Sequence, residues 1–562
     1  MPNHMRMCPE RTYAVCRLYS GPAVLLAASL LCGAATAADP EFRPDSFRAH
    51  VTFLADDLLE GRETGSRGHE IAARYVAAQF ESFGLKPGGD NGTWFQSITF
   101  QRTNADGPSA TVTLDGPDGS HVYAQGRETI LWRNKRGTSV NLVAPLVFVG
   151  YGQENARLGL DDYAGLDVKG KIVVALNGFA KGTQSEEGAH LSSMTAVDAA
   201  RHGAIGVVGI DTRDSRAATP WEVYIPYADV PRYTWVGADG QGYDPAPGIE
   251  FTVSLDPSAT AALFAGSGHT YEEILDEAAR EGGRPRGFPL RTTMHVQAGS
   301  RMARVTSPNV IGILPGSDPV LSHEYVILSA HLDHIGFAAE DKAHPDADRI
   351  RNGALDNASG IATMLEVARA LASSPKRPRR SVIFLASTGE ERGLLGADYY
   401  ARHPTVPISQ IVADVDLDMP LLLYSFTDVI AFGADRSTLG ALVASAVAPM
   451  GVRLSPDPMP EMGIFTRSDH YMFVKQGVPS VYLLTGYANG GEQAWFDFRS
   501  NVYHTVNDDL NQPIDWNAGA RFAEVNYRIT RAMADADQAP RWIEGDFFGD
   551  TFAPGAPRAP RP

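Results

Sequence analysis

The sequence predicts an α/β fold: a doubly wound, mostly parallel mixed sheet flanked by helices, with a smaller β-rich module inserted into it. Three observations carry this expectation. After Val305 the runs EYVILSA, SVIFLAS, QIVADVDLD and VPSVYLL are continuously apolar, as strands buried on both faces must be. Between the first two lies SGIATMLEVARALASS, a good crossover helix, and strands alternating with helices give a parallel sheet. Between about residues 136 and 292 the grammar differs, with short apolar runs (LVAPLVFVGYG, KGKIVVALNG, IGVVGID) around one helical stretch, SMTAVDAARHGA.

The remaining segments follow from local pattern. The first 37 residues read as a secretory signal: Arg6, Arg11 and Arg17 precede the apolar stretch AVLLAASLLCGAATA, and Ala35 and Ala37 are placed for cleavage. All three cysteines (Cys8, Cys16, Cys32) fall inside it, so the processed chain is expected to hold no disulfide and no thiolate ligand. Residues 38–135 open the main domain with two amphipathic helices, FRAHVTFLADDLLEGR and GHEIAARYVAAQFESFGL, whose apolar residues recur at helical spacing. Residues 136–292 form the inserted module and 293–538 the rest of the main domain. The tail 539–562, ending GAPRAPRP, is Pro-rich and is expected to be poorly ordered.

Composition excludes several function classes. At 562 residues the chain needs more than one ordinary core. The formal charge of −17, falling to −19 without the signal, repels a polyanion, so nucleic acid is excluded as a partner. The one basic run, KRPRR at 376–380, sits between a helix and a strand and reads as a solvated loop. No second apolar run is long enough for a membrane span, which predicts a secreted or periplasmic product with no stable membrane insertion.

The chemistry-bearing residues cluster at strand ends. EYVILSA runs into His331 and Asp333, SVIFLAS into Glu390 and Glu391, and QIVADV into Asp416 and Asp418. Asp356 precedes the crossover helix, and His504 lies in the long loop after VPSVYLL. Open α/β sheets bind ligands at these carboxyl ends. Taken singly, such residues are ordinary surface pairs or helix caps; their joint order points to a site. Two imidazoles and three carboxylates without sulfur suit a zinc pair, with Mn²⁺ or Co²⁺ as substitutes. Two divalent ions against three carboxylates and a bridging hydroxide sum to zero, whereas one ion would leave buried negative charge.

In this scheme Asp356 bridges two Zn²⁺ ions, His331 and Asp418 hold one, and Glu391 and His504 hold the other. Asp333 is expected to accept a hydrogen bond from the far nitrogen of His331. Neighbouring side chains of an extended backbone face opposite ways, so Glu391 takes the metal and Glu390 serves as general base on the bridging water.

The segments SAHLDHIG, NGALDNASG, STGEERGLLGADYY, DLDMP, RSDHYMF and YHTVNDD resemble, in this order, the signature segments of the M28 family of zinc metallopeptidases. The stretch 136–292 resembles the protease-associated (PA) domain often inserted in them. The resemblance implies the same ligand set (His331, Asp356, Glu391, Asp418, His504) with Glu390 as catalytic base. It also implies an aminopeptidase acting on peptide or protein N-termini. One departure is Phe465, where some relatives carry a tyrosine that helps stabilise the oxyanion; the metals or another donor, such as a nearby tyrosine, must supply that stabilisation. A second is GYANGGEQAWFDFRSN, whose Trp495, Phe496 and Phe498 either line an apolar pocket or pack the loop itself. The competing readings are a carboxypeptidase or dipeptidase using Arg467 and Arg499 for a terminal carboxylate, a glutaminyl cyclase, and a transferrin-receptor-like binding protein without catalysis.

Overall fold

The computed structural model describes residues 40–107, 110–133, 139–340 and 342–561; the expected signal segment lies outside them. Among the described residues the main sheet has ten strands. Nine are labelled here: β1 (Phe95–Ala105), β2 (Arg232–Trp235), β3 (Ser300–Leu314), β4 (Tyr325–His331), β5 (Ser381–Ser387), β6 (Ile411–Asp416), β7 (Asp428–Phe432), β8 (Arg453–Ser455) and β9 (Ser480–Thr485). Their order is β2-β1-β3-β5-β4-β6-β9-β7-β8, and the tenth, Lys86–Pro87, pairs with β3. Pairing is parallel across β5, β4, β6 and β9, while β3, β1 and β2 on one side and β7 on the other run antiparallel to their inner neighbours. The parallel centre is where the fully apolar runs lie, because helices cover both its faces.

The helices that bear on the site are α1 (Pro44–Leu54), α2 (Arg67–Ser82), α3 (Ser185–Arg201), α4 (Ser359–Ser373), α5 (Gly491–Asn501), α6 (Trp516–Asp535) and α7 (Phe547–Phe552). The crossover helix α4 is rich in Ala, Leu and Met, good helix formers. It is buried almost all round because it lies between the sheet and α1 and α6. One carboxylate rides on this helix. Glu366 accepts from Ser46 Oγ at 2.6 Å and Arg369 Nη2 at 2.7 Å, and lies 3.4 Å from His50 Nε2, tying α1 to α4.

A second sheet has eight strands in the order 119–124, 111–116, 288–298, 140–148, 172–176, 206–210, 251–255 and 129–133. Alternate residues of Ile172–Leu176 enter two different apolar clusters, so this sheet too is covered on both faces. It spans residues 111–298, beginning earlier than residue 136. The intervening chain is not wholly separate either. It delivers β2 to the edge of the main sheet, where Trp235 Nε1 donates to Asp398 at 2.8 Å. Helix α3 abuts the main domain, with His190 Nδ1 2.6 Å from the Tyr471 hydroxyl.

Two expectations about order need correction. The Pro-rich tail is folded: Trp542 is fully buried and donates to Gly477 O at 2.9 Å, and Ile543 bridges Ala559. Buried Arg436 joins it to the module by pairing with Asp546 at 3.0 Å and with Glu186. Aromatic burial outweighs the Pro content there. The basic run is also less solvated than its composition suggests, since Arg380 is 1% exposed and pairs with Glu324 at 2.7 Å.

The Glu366 cluster makes a pH-dependent prediction. Burial opposes its ionisation, but His50, Arg369 and Ser46 overcome this and hold the carboxyl down at about 2 against an ordinary 4.5. The stabilisation is therefore complete above pH 4.5 and is lost as pH falls through about 2. Glu366→Gln should cost on the order of 3 kcal/mol near pH 7. Chemical denaturation at pH 7 and pH 2 should show the difference between variant and parent disappearing at the lower pH.

Candidate metal centre

The carboxyl ends of the central parallel strands converge on one cluster. His331 is the last residue of β4, Asp418 lies two residues beyond β6, and Glu390 and Glu391 follow β5. Asp356 sits in the irregular turn Ala354–Ala358 that leads into α4. His504 comes from the segment after α5, with φ of +60°; Met419, next to Asp418, has φ of +44°. Left-handed backbone at non-glycine residues is strained and concentrates at sites whose surroundings hold it in place.

Distances define two groups of donor atoms sharing one residue. His331 Nε2 is 3.2 Å from Asp356 Oδ1 and 3.1 Å from Asp418 Oδ1. His504 Nε2 is 3.2 Å from Asp356 Oδ2 and 3.3 Å from Glu391 Oε2. The two oxygens of Asp356 thus face different partners. Two donor atoms on one tetrahedral zinc, each roughly 2.0–2.1 Å from it, lie about 3.3 Å apart. All four contacts match such an edge. Donor chemistry fits as well, being oxygen and imidazole nitrogen only.

The structure adds a residue that sequence reasoning passed over. His334 is 0% exposed, and neither of its ring nitrogens has a hydrogen-bond partner among the described residues. Its Nδ1 is 2.7 Å from Glu391 Oε1, off the line of a hydrogen bond, and 3.8 Å from Asp356 Oδ2. Glu391 Oε1 is likewise orphaned, and His334, Asp356 and Glu391 form a second set of potential ligands beside His331, Asp356 and Asp418. Orphaned buried donors and acceptors converging on one point fit a cation there. The available signal was an imidazole three residues after His331. Extended chain would turn positions 331 and 334 to opposite sides, and only the bend beyond β4 brings both to the cluster.

The loops are held by buried polar groups. Arg62 donates to the carbonyls of Leu332 (2.9 Å), Asn352 (2.6 Å), Gly353 (3.0 Å) and Leu54, clamping the segments that carry His331 and Asp356. A lone arginine in LLEGRETG offers no sequence signal for this. Asn357 donates to Leu417 O at 2.7 Å and accepts from Met419 N at 3.2 Å, locking Asp356 to the Asp418 loop. Asp508 accepts the amides of Leu355 (2.9 Å) and Asp356 (3.0 Å).

Two details of the expected roles change. His331 Nδ1 pairs with the main-chain oxygen of Asp333 at 3.0 Å, not its carboxylate. Strand geometry ends at His331, so the carbonyl of residue 333 passes under the ring. The Asp333 carboxylate instead accepts from Thr64 Oγ1 (2.9 Å) and Glu390 N (3.2 Å), anchoring the glutamate loop. Glu390 and Glu391 do diverge, but through a turn with Gly389 at φ +73°, not through extended chain. Glu390 lines an open cavity with Asp356 and Asp418, while Glu391 faces His334 and His504.

That cavity has about 550 Å³ of empty space including its mouth, and Met419, Met462, Ile464, Trp495 and Tyr503 form its apolar wall. The stretch holding Trp495 is helical (α5); Phe498 is buried behind it and Phe496 is half exposed to solvent. Phe465 lies in the core against Arg436 and Phe548, far from a donor role, whereas the hydroxyl-bearing Tyr482 and Tyr503 line the cavity.

Charge in this largely buried site is uneven. Burial, reinforced by Asp418, Glu391 and Asp469, pushes Glu390 well above the usual carboxylate range despite His331. For Asp356 burial acts in the same direction but is outweighed by His334, His331 and His504, so its carboxyl stays well below that range. Asp356, the residue shared by both donor groups, is thus held as an anion.

Comparison with known proteins places this geometry. Residues 309–530 match the model of Peptidase family M28. The matched stretch contains His331, Asp356, Glu390, Glu391, Asp418 and His504. A probable zinc metalloprotease of Pyricularia oryzae is 27% identical over 53% of this chain and 64% of its own length. Aminopeptidase NAALADL1 of Mus musculus is 27% identical over 56% of this chain and 41% of its own. The chain thus spans less than two thirds of these relatives. Among solved structures, an aminopeptidase from Aneurinibacillus sp. strain AM-1 aligns over 93% of this chain and 98% of its own, with 20% identity and a TM-score of 0.50. That likeness shows a shared fold beyond the matched stretch.

If His334 belongs to the centre, His334→Ala should weaken zinc binding about 10- to 100-fold, as loss of a supporting ligand group does. Asn, whose amide nitrogen reaches near the Nδ1 position, should recover part of it. Competition against a zinc-sensitive chelating dye measures this without any turnover.

Proposed function

We propose that this protein is a secreted or periplasmic di-zinc aminopeptidase. The observation that carries the reading is Asp356, whose two oxygens face His331 with Asp418 on one side and His504 with Glu391 on the other. One residue shared by two donor sets suits two ions, and the names of the relatives supply zinc and aminopeptidase chemistry. His331, Asp418, Glu391, His504 and the bridging Asp356 would hold the ions, with His334 beside the second. When bound, the metal pair polarises the scissile carbonyl and acidifies a water.

The remaining work falls to side chains. Glu390 borders the cavity and its raised proton affinity suits a general base that accepts a proton from water and returns it to the leaving amine. Asp333 positions Glu390 through the main-chain amide. The free α-amine of a substrate is a cation, and Glu390, Asp418 and Asp356 on the cavity wall attract it. Tyr482 and Tyr503 are the lining hydroxyls able to donate to a developing oxyanion in place of Phe465. The sheet module over 111–298 corresponds to a PA-type insertion. Its helix α3 packs against the segment around Gly463, beside the cavity residues Met462 and Ile464, so it buttresses one wall. Among the described residues no helix is long and apolar enough to cross a membrane.

A panel of free-amine and N-blocked peptides, with and without chelator, tests the reading. Hydrolysis confined to free-amine substrates and abolished by chelator is expected. Equal cleavage of blocked peptides would replace the aminopeptidase assignment with a carboxypeptidase or endopeptidase. Glu390→Gln should retain two zinc ions by elemental analysis yet lose at least roughly 100-fold in kcat, the lower end of a general base's contribution. Loss of zinc in that variant would mean that Glu390 and Glu391 exchange roles.

A further inference from the structure

The cavity beside the metal centre is lined by charge of both signs. Asp356, Glu390 and Asp418 are its acidic residues. Arg467 and Arg499 also line it, and neither forms an ion pair with a carboxylate among the described residues. Arg467 is exposed, on the turn before Ser468. Arg499, on α5, stacks over Tyr503 with its guanidinium carbon 4.0 Å from the ring centroid, and Tyr503 in turn stacks on His504 at 3.7 Å. A guanidinium stacked by its face keeps its edge N–H groups available, and that edge matches a carboxylate.

In an otherwise acidic protein, two unpaired guanidiniums in one small cavity are out of place unless an anion visits them. Nor is the lining purely apolar, since it combines Met, Ile and Trp side chains with these cations.

We propose that Arg467 and Arg499 select substrates bearing a carboxylate close to the free amine, so that amine and carboxylate engage groups of opposite charge in one cavity. This rests on the aminopeptidase reading and narrows it. The carboxylate has two sources: an acidic side chain on the N-terminal residue, or the C-terminus of a dipeptide.

Three substrates separate them in the zinc-loaded enzyme: Leu-Ala-amide, with no carboxylate; Leu-Ala, with a terminal one; and Glu-Ala-amide, with a side-chain one. The expected result is a kcat/KM at least roughly tenfold higher for one of the two charged substrates than for the neutral amide, about one charge-assisted contact. The preferred substrate names the source. Arg467→Gln, Arg499→Gln and the double variant should bring this ratio toward one. A residue that merely supports Tyr503 would lower all three rates together and leave the ratio intact, which overturns the proposal. So does a wild-type ratio within about twofold of one. Failure to hydrolyse any of the three would instead remove the aminopeptidase reading on which the proposal stands.

Discussion

The structure is organised around negative charge held out of water. Asp333, Asp356, Glu390, Glu391, Asp416, Asp418 and Asp469 all lie at or near the carboxyl ends of the central strands, and most are buried. Burying so many carboxylates without compensation is prohibitive. Some of the cost is met by proton retention: burial raises Glu390, Asp418, Asp333 and Asp469. Part is met by fixed positive charge. Arg62 is so enclosed that its guanidinium drops to about 10, yet it remains a cation at any working pH while it clamps two loops. Despite burial, the neighbouring carboxylates raise the proton affinity of His331 and His504, which supply the rest, and the proposed ions would take over that role.

The same constraint explains why the supporting contacts are main-chain ones. Arg62, Asn357, Asp508 and Asp333 bind carbonyls and amides of the loops that carry the donor atoms. A backbone contact fixes a loop's path whatever its side chains do, so donor atoms from distant parts of the chain meet without each needing its own partner. Rigidity comes from the sheet below, where β4 pairs in parallel with β5 and β6, β5 is wholly buried and the other two almost so. The inserted module and the C-terminal segment extend this support outward: α3 of the module is joined to the main domain and to the C-terminal segment by Arg436, His190 and the aromatic residues of α7.

Much of this was legible beforehand because it depends on local rules. Apolar runs bounded by turns gave the parallel centre, since a strand covered on both faces has few polar positions to offer. The donor residues were legible because each ends a strand or starts a helix, and open sheets gather such ends on one side. What misled was context. The tail's proline content suggested disorder, but Trp542, Phe547 and Phe548 find a hydrophobic seat. KRPRR suggested solvent, but Arg380 has Glu324 across the fold. The module's sequence suggested an isolated insertion, but its middle supplies a strand to the other sheet.

By itself, then, the order of residues determined the fold class, the set of chemically capable side chains and the strand ends they occupy, because period and termination are properties of short segments. Tertiary structure alone decided which oxygen of Asp356 faces which imidazole, that His334 joins the cluster, that Asp333 works through its carbonyl and through Glu390, and that Arg467 and Arg499 share a cavity with the carboxylates. These facts depend on turns that leave extended geometry and on contacts between segments hundreds of residues apart, and no local pattern encodes either.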